Sequence, residues 1–200
     1  MKRAGAVLVV LGLVASACER HTPEQRDYVE SLMELRTRKD RSMQSPDGPL
    51  LPEQRARFKG LSYYPPNFDL VFEVALDPLA APDTLQFPTS QNGFDPFLRL
   101  GTLRFQVRGR EQRLTLFSAL DGSSLFLPFR DATSGGSTYG AGRYLEPEPL
   151  ADGRFRLDFN QAYNPYCAYN AQWVCPLPPA ENELEFEVTA GERNFPLAAH

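Results

Sequence analysis

The chain has 200 residues, 42% hydrophobic and 23% charged, with a formal net charge of −4. This composition suits one globular domain with a sizeable core and excludes wholesale disorder. The mild acidity and lack of a basic patch argue against nucleic acid as a partner, and 18 prolines and 14 glycines favour turns and short strands over long helices.

Residues 1–17 read as an export leader. Lys2 and Arg3 make a positive start, Ala4–Val14 an apolar run too short to span a bilayer comfortably, and Ala15, Ser16 and Ala17 lead into Cys18. VASAC resembles a bacterial lipobox, although Ala15 stands where leucine is usual. The resemblance implies cleavage before Cys18 and acylation of that residue. The partner is then a lipid bilayer, and the location the bacterial cell envelope, facing the periplasm or exterior. Two or more acyl chains anchor stably where one binds only marginally. The alternative is an ordinary secretory leader cut near the same place.

Residues 18–60 read as a tether, a helix and a linker arm. Thr22, Pro23 and Gln25 spell a helix start, and Tyr28, Leu32 and Leu35 fall on one stripe flanked by Val29 and Met33. Arg36, Arg38, Lys39 and Arg41 are expected on the outer face. A second short helical segment is expected over 52–58, ended by Gly60.

Residues 61–200 read as one β-rich domain. Apolar residues alternate at Leu70, Phe72, Val74 and Leu76, and Leu85 and Phe87 mark a second short strand. Leu103, Phe105 and Val107 turn at Gly109 into Leu114 and Leu116, a hairpin. Strands also follow over 125–129, 155–159 and 184–188, the last with an acidic stripe of Glu183, Glu185 and Glu187. The fold class is mainly β, an antiparallel β-sandwich or small β-barrel of seven to nine strands with an N-terminal helical arm.

The chemistry is marked first by what is missing. The two histidines, His21 and His200, sit near the chain ends, poorly placed for a catalytic imidazole or a histidine metal site. The reading is no metal and no cofactor. The loop from Arg130 to Tyr144 carries four glycines, six hydroxyl side chains and an arginine near each end. Such a loop grips an anionic or polar ligand, or is a long connection whose glycines permit turns. In 158–167 an Asp-Phe-Asn run precedes Tyr163, Asn164 and Cys167. Aromatic residues there line a pocket or shield a disulfide. In an exported chain Cys167 and Cys175 are natural disulfide partners, worth about 2.5 kcal/mol by loop entropy. Their C-x7-C spacing departs from that of a redox C-x-x-C.

The blocks PFRDATSG, TYGAGRYL, LDFNQAYNPYCAY and CPLPPAENELEFEVTAGE, with GLSYYPP upstream, resemble the signature of a bacterial and archaeal family of proteins of unknown function. The resemblance covers roughly residues 26–195. It places motif positions at Arg130, Asp131, Thr133, Gly135, Tyr139, Gly140, Gly142, Arg143, Tyr144, Asp158, Asn160, Tyr163, Asn164, Pro165, Cys167, Cys175, Pro176 and Asn182. It brings no activity with it. A dense motif of Arg, Asp, Asn and Tyr reads as a site rather than a core. The candidate ligand-binding residues are Arg130, Asp131, Thr133, Tyr139, Arg143, Tyr144, Asp158, Asn160, Tyr163, Asn164 and Asn182.

Three readings of function stay open. One is an anchored envelope protein whose domain binds a small polar or anionic ligand, or an envelope protein partner, between the 130–144 loop and the 158–182 segment. The second is a hydrolase-like enzyme with Asp158 as base and Arg143 as clamp. The third is a purely structural envelope protein whose motif residues form a buried hydrogen-bond network.

Overall fold

The computed structural model describes residues 21–197. The leader and Cys18 lie outside the described residues. Helix α1, Pro23–Met43, opens with the predicted capping box: the Thr22 side chain accepts from the Gln25 N–H (3.2 Å), and the Gln25 side chain accepts from the Thr22 N–H (3.0 Å).

The inward face of α1 differs from the expected stripe. Leu32 and Met43 are buried, but Met33 and Leu35 are each 37% exposed. Arg36 and Lys39, expected outside, turn toward the domain instead. Each lies over a tyrosine: the Arg36 guanidinium is 4.4 Å from the Tyr63 ring centre and the Lys39 ammonium 4.7 Å from that of Tyr163. Residues 32, 36, 39 and 43 share one face at helical spacing, and long cationic stems bury readily when the charged heads find rings and acceptors. The arm is thereby docked on the domain. Helix α2, Pro52–Arg57, follows where expected, and the Gln54 amide ties it to the Tyr169 carbonyl at 2.8 Å.

Eight strands form two antiparallel sheets among the described residues. One sheet has three strands, β1 (Val71–Val74), β8 (Phe155–Asp158) and β7 (Glu148–Pro149), in that order. The other is a five-stranded meander of β2 (Leu76–Pro88), β3 (Phe94–Val107), β4 (Arg110–Ser118), β5 (Leu125–Phe129) and β6 (Arg143–Leu145). Val74, Leu157 and Phe159 from the small sheet and its end meet Leu103, Phe105, Leu116 and Leu127 from the large one in a single apolar core. The chain is therefore mainly β, with a sandwich-like pair of sheets and the predicted N-terminal helix. In the predicted hairpin Val107 pairs with Arg110 across Arg108 (φ 50°) and Gly109 (φ 75°), a two-residue turn whose twist matches the strands.

Two expectations at the C-terminal end of the motif need correction. Strand β6 takes three residues that read as loop. Conversely, 184–188 is not a strand. Its burial alternates as predicted, with Leu184 and Val188 buried and Glu183, Glu185 and Glu187 exposed, but it joins no regular ladder. Leu184 donates to the Arg130 carbonyl (2.8 Å), the Ala132 N–H donates to the Phe186 carbonyl (3.1 Å), and the Val188 N–H donates to the Asp131 carboxylate (2.7 Å). Two backbone contacts with the 130–132 segment and one side-chain carboxylate stand in for the neighbouring strand.

Candidate functional site

Most of the motif residues turn inward. Arg143 is fully buried, and its guanidinium gathers the C-terminal segment. One terminal nitrogen donates to the Ala190 and Glu192 carbonyls, the second at 3.1 Å; the other donates to the Val188 carbonyl at 2.9 Å and to Asp131 at 3.2 Å. Burial pulls the Arg143 pKa down, and the neighbouring Asp131 carboxylate opposes that. Asp131 also accepts from the Thr133 hydroxyl (2.8 Å) and the Thr133 N–H (3.2 Å), and the Thr133 hydroxyl meets that of Thr138 at 2.8 Å. Gly142 permits this fold of the loop. Its φ is +104°, and a Cβ there would stand 2.6 Å from the Phe129 carbonyl oxygen.

Asp158 and Asn160 are also structural joints. The Asp158 carboxylate accepts from the Tyr28 hydroxyl (2.9 Å), the Asn160 N–H (3.0 Å) and the Gln161 amide (3.0 Å). The Asn160 amide exchanges two bonds with the Asn67 backbone, at 2.7 and 2.9 Å. Asn182 does the same for Thr115 (2.7 and 2.9 Å) and donates to the Pro128 carbonyl (2.8 Å). The Tyr144 hydroxyl donates to the Pro176 carbonyl, and its backbone pairs with that of Tyr163. Arg130 is exposed and engages Glu183 through its backbone alone.

Glu192, which the sequence did not single out, is a further buried charge of this network. It is fully buried and accepts from Lys39 (2.7 Å), the Asn164 amide (3.0 Å), the Asn164 N–H (3.2 Å) and the Tyr169 hydroxyl. One carboxylate thus joins α1 to the two segments of the Cys167 region.

Two concave surfaces border this framework. The first is a cleft of about 680 Å³ between Gly135–Gly140 and Cys167–Ala171, lined also by Gln54 and Phe195. It brings together the two segments the sequence paired, but Arg130 and Arg143 do not line it. The Tyr139 hydroxyl stands 3.8 Å from the Cys167 sulfur on its wall. Cys167 and Cys175 are present as free thiols, with the Cys175 sulfur accepting from the Cys167 N–H at 3.1 Å.

The second is a groove of about 400 Å³ beside α1, lined by the apolar Leu35, Met43 and Leu145 and by Arg36, Lys39, Tyr63, Asn160, Tyr163 and one carboxylate, Glu146, whose charge is engaged by the Tyr163 hydroxyl at 2.8 Å. Arg36 donates to the Tyr64 carbonyl (3.1 Å) and lies near the Asn160 carbonyl (3.5 Å). No carboxylate among the described residues forms an ion pair with it. Its Nε and the Tyr63 hydroxyl are buried without hydrogen-bond partners there. Desolvation lowers the Arg36 pKa and raises that of Tyr63. Of the predicted ligand-binding residues, only Asn160 and Tyr163 reach this groove. Arg36 and Lys39 were legible only as charges spaced three apart on a helix. A third, open depression of about 850 Å³ around His21, Pro65 and Phe68 contains none of the sequence-predicted residues.

No group of three or more His, Cys, Asp or Glu side chains suited to a metal ion occurs among the described residues. None of the curated proteins compared matches the chain. Among solved structures, it is similar to the solution NMR structure of the uncharacterized protein from gene locus rrnAC0354 of Haloarcula marismortui. The two share 41% identity, with a TM-score of 0.67 over 85% of this chain and 96% of that one. A family model described as protein of unknown function (DUF1684) matches residues 56–193. The chain belongs to that family, and the buried Arg, Asp and Asn network lies within the matched span.

Proposed function

We propose that this protein is a lipid-anchored component of the bacterial cell envelope whose domain binds a small anionic ligand in the groove beside α1. The observation that carries the reading is Arg36. It is a half-buried guanidinium stacked on Tyr63, without a carboxylate partner among the described residues, beside a buried tyrosine hydroxyl that also lacks one. A fork of N–H donors in a partly desolvated setting suits a carboxylate or phosphate oxygen. The aromatic and aliphatic walls suit a ligand with an apolar body.

The hydrolase reading has less support. The Asp158 carboxylate is held by Tyr28, Asn160 and Gln161, and Arg143 has no exposed surface. The structural reading accounts for the motif residues themselves: they hold the 182–193 segment and the arm in place, and the groove is built on them.

Binding is tested by titrating the protein with inorganic phosphate and a panel of aliphatic and aromatic carboxylates, followed by calorimetry and thermal shift. At least one anion is expected to bind, and Arg36→Gln to weaken it by about tenfold or more. Binding that survives Arg36→Gln unchanged, or no binding across the panel, sinks the reading. Anchoring is tested separately. The bacterial chain grown with a radiolabelled fatty acid is expected to carry label that Cys18→Ser removes, and a wild-type chain that stays unlabelled refutes the anchor.

A further inference from the structure

The cleft between Gly135–Gly140 and Cys167–Ala171 carries its own chemistry, and its lining shares no residue with the α1 groove. Cys167 lies on the cleft wall and is partly exposed, while Cys175 is 5% exposed and does not line the cleft. The two cysteines are adjacent in space: the backbone N–H of Cys167 donates to the Cys175 sulfur at 3.1 Å. Cys175 is fixed from behind: its N–H donates to the Ser90 hydroxyl (3.2 Å), and its carbonyl accepts from the Ser90 N–H (2.9 Å). The Tyr139 hydroxyl approaches Cys167 from across the cleft.

The two thiols are therefore unequal in access and in environment. The Cys175 thiol and the Tyr139 hydroxyl both donate toward the Cys167 sulfur, so its thiolate is stabilised, with the pKa brought down to about 7. The same contact pushes the Cys175 thiol up, and burial adds to the rise. An accessible thiolate beside a shielded thiol is the arrangement that dithiol exchange requires.

We propose that Cys167 and Cys175 form a thiol–disulfide exchange site, with Cys167 attacking a small neutral disulfide held in the cleft and Cys175 resolving the product. The cleft lining supports the neutral character: Gly135, Gly136, Thr138, Tyr139, Asn170 and Asn194 offer polar groups without a charge. In the first step the Cys167 thiolate bonds one sulfur of R–S–S–R and expels RS⁻, which takes a proton from solvent. In the second, Cys175 gives up its proton and attacks the Cys167 sulfur, expelling the second RS⁻. The substrate is reduced to two thiols, and the protein is oxidised by two electrons to a Cys167–Cys175 disulfide. The bridge expected for an exported chain is then the oxidised product of this exchange rather than a permanent staple.

The test uses the full chain carrying Cys18→Ser, so that only these two thiols react, and bis(2-hydroxyethyl) disulfide as the probe. The reduced protein is expected to release two thiols per chain and to end with an intramolecular bridge located by peptide mapping. With Cys175→Ser, or Cys175→Ala if serine perturbs the fold, the reaction is expected to stop at a mixed disulfide on Cys167 after one thiol is released. That adduct is expected to form at least about tenfold faster than the adduct on Cys175 in the Cys167→Ser chain. Tyr139→Phe is expected to slow it. Equal rates at the two positions, or a Cys175 variant that forms no adduct, overturn the proposal and leave the pair a structural element.

Discussion

Arg143→Ala is expected to unfold the domain or to cost about 3–5 kcal/mol, the scale for removing one partner of a buried ion pair. The side chain is fully buried and leaves behind the Asp131 carboxylate, equally buried, together with the carbonyls of Val188, Ala190 and Glu192. Each orphaned acceptor adds a desolvation cost of its own. Urea denaturation monitored by circular dichroism reads the loss. Arg143→Lys is expected to recover only part of it, because an ammonium lacks the planar fork that reaches four acceptors at once. A stable, cooperatively folding Arg143→Ala domain would return this residue to the list of ligand-binding candidates. The expected result therefore separates the residue's role as a joint from the role its residue type suggests.

Glu192→Ala is the second large loss, again about 3–5 kcal/mol, for the same physical reason and with a different signature. The carboxylate holds Lys39 of α1, the amide and N–H of Asn164, and the hydroxyl of Tyr169. Burial and the adjacent carboxylate both raise the Tyr169 pKa. Removing Glu192 should loosen the arm as well as the Cys167 segment. Hydrogen exchange is expected to rise over α1 and over 164–170 before the β4 core opens. Lys39→Ala is the milder comparison: it removes one donor to Glu192 and leaves those of Asn164 and Tyr169, so the loss is expected to be smaller than in Glu192→Ala. Uniform exchange across the domain in Glu192→Ala would show that the carboxylate stabilises globally rather than locking the arm.

These two residues also show where sequence reasoning stopped. Arginine, aspartate and asparagine in a glycine-rich stretch read as a ligand site because isolated polar residues belong on surfaces. Here they are buried because residues 171–197 form no strand. Chain that runs through a core without a ladder must find partners for its N–H and carbonyl groups one by one, and side chains supply many of them. Arg143, Asp131, Asn182 and Asn164 do that work, and no periodicity in the sequence announces it.

What the sequence determined by itself was local and periodic. The capping box of α1, the alternation in β3, β4 and β8, the two-residue turn at Gly109 and the inward set at 184 and 188 all follow from neighbours a few residues apart. The pairing of the glycine-rich loop with the Cys167 segment was legible as well, since both blocks are dense in unusual residues. Tertiary structure decided the rest. It turned Arg36 and Lys39 inward, because tyrosine rings and Glu192, more than 20 residues away along the chain, make that face of α1 the better buried one. It gave three residues after a long loop to β6, because Phe129 stood ready to pair with Arg143. It also denied a ladder to 184–188, whose hydrogen bonds were taken by Arg130, Ala132 and Asp131. The physical reason is common to all three: hydrogen-bond partners and apolar cover for these groups come from distant chain segments, and their positions exist only once the chain has folded.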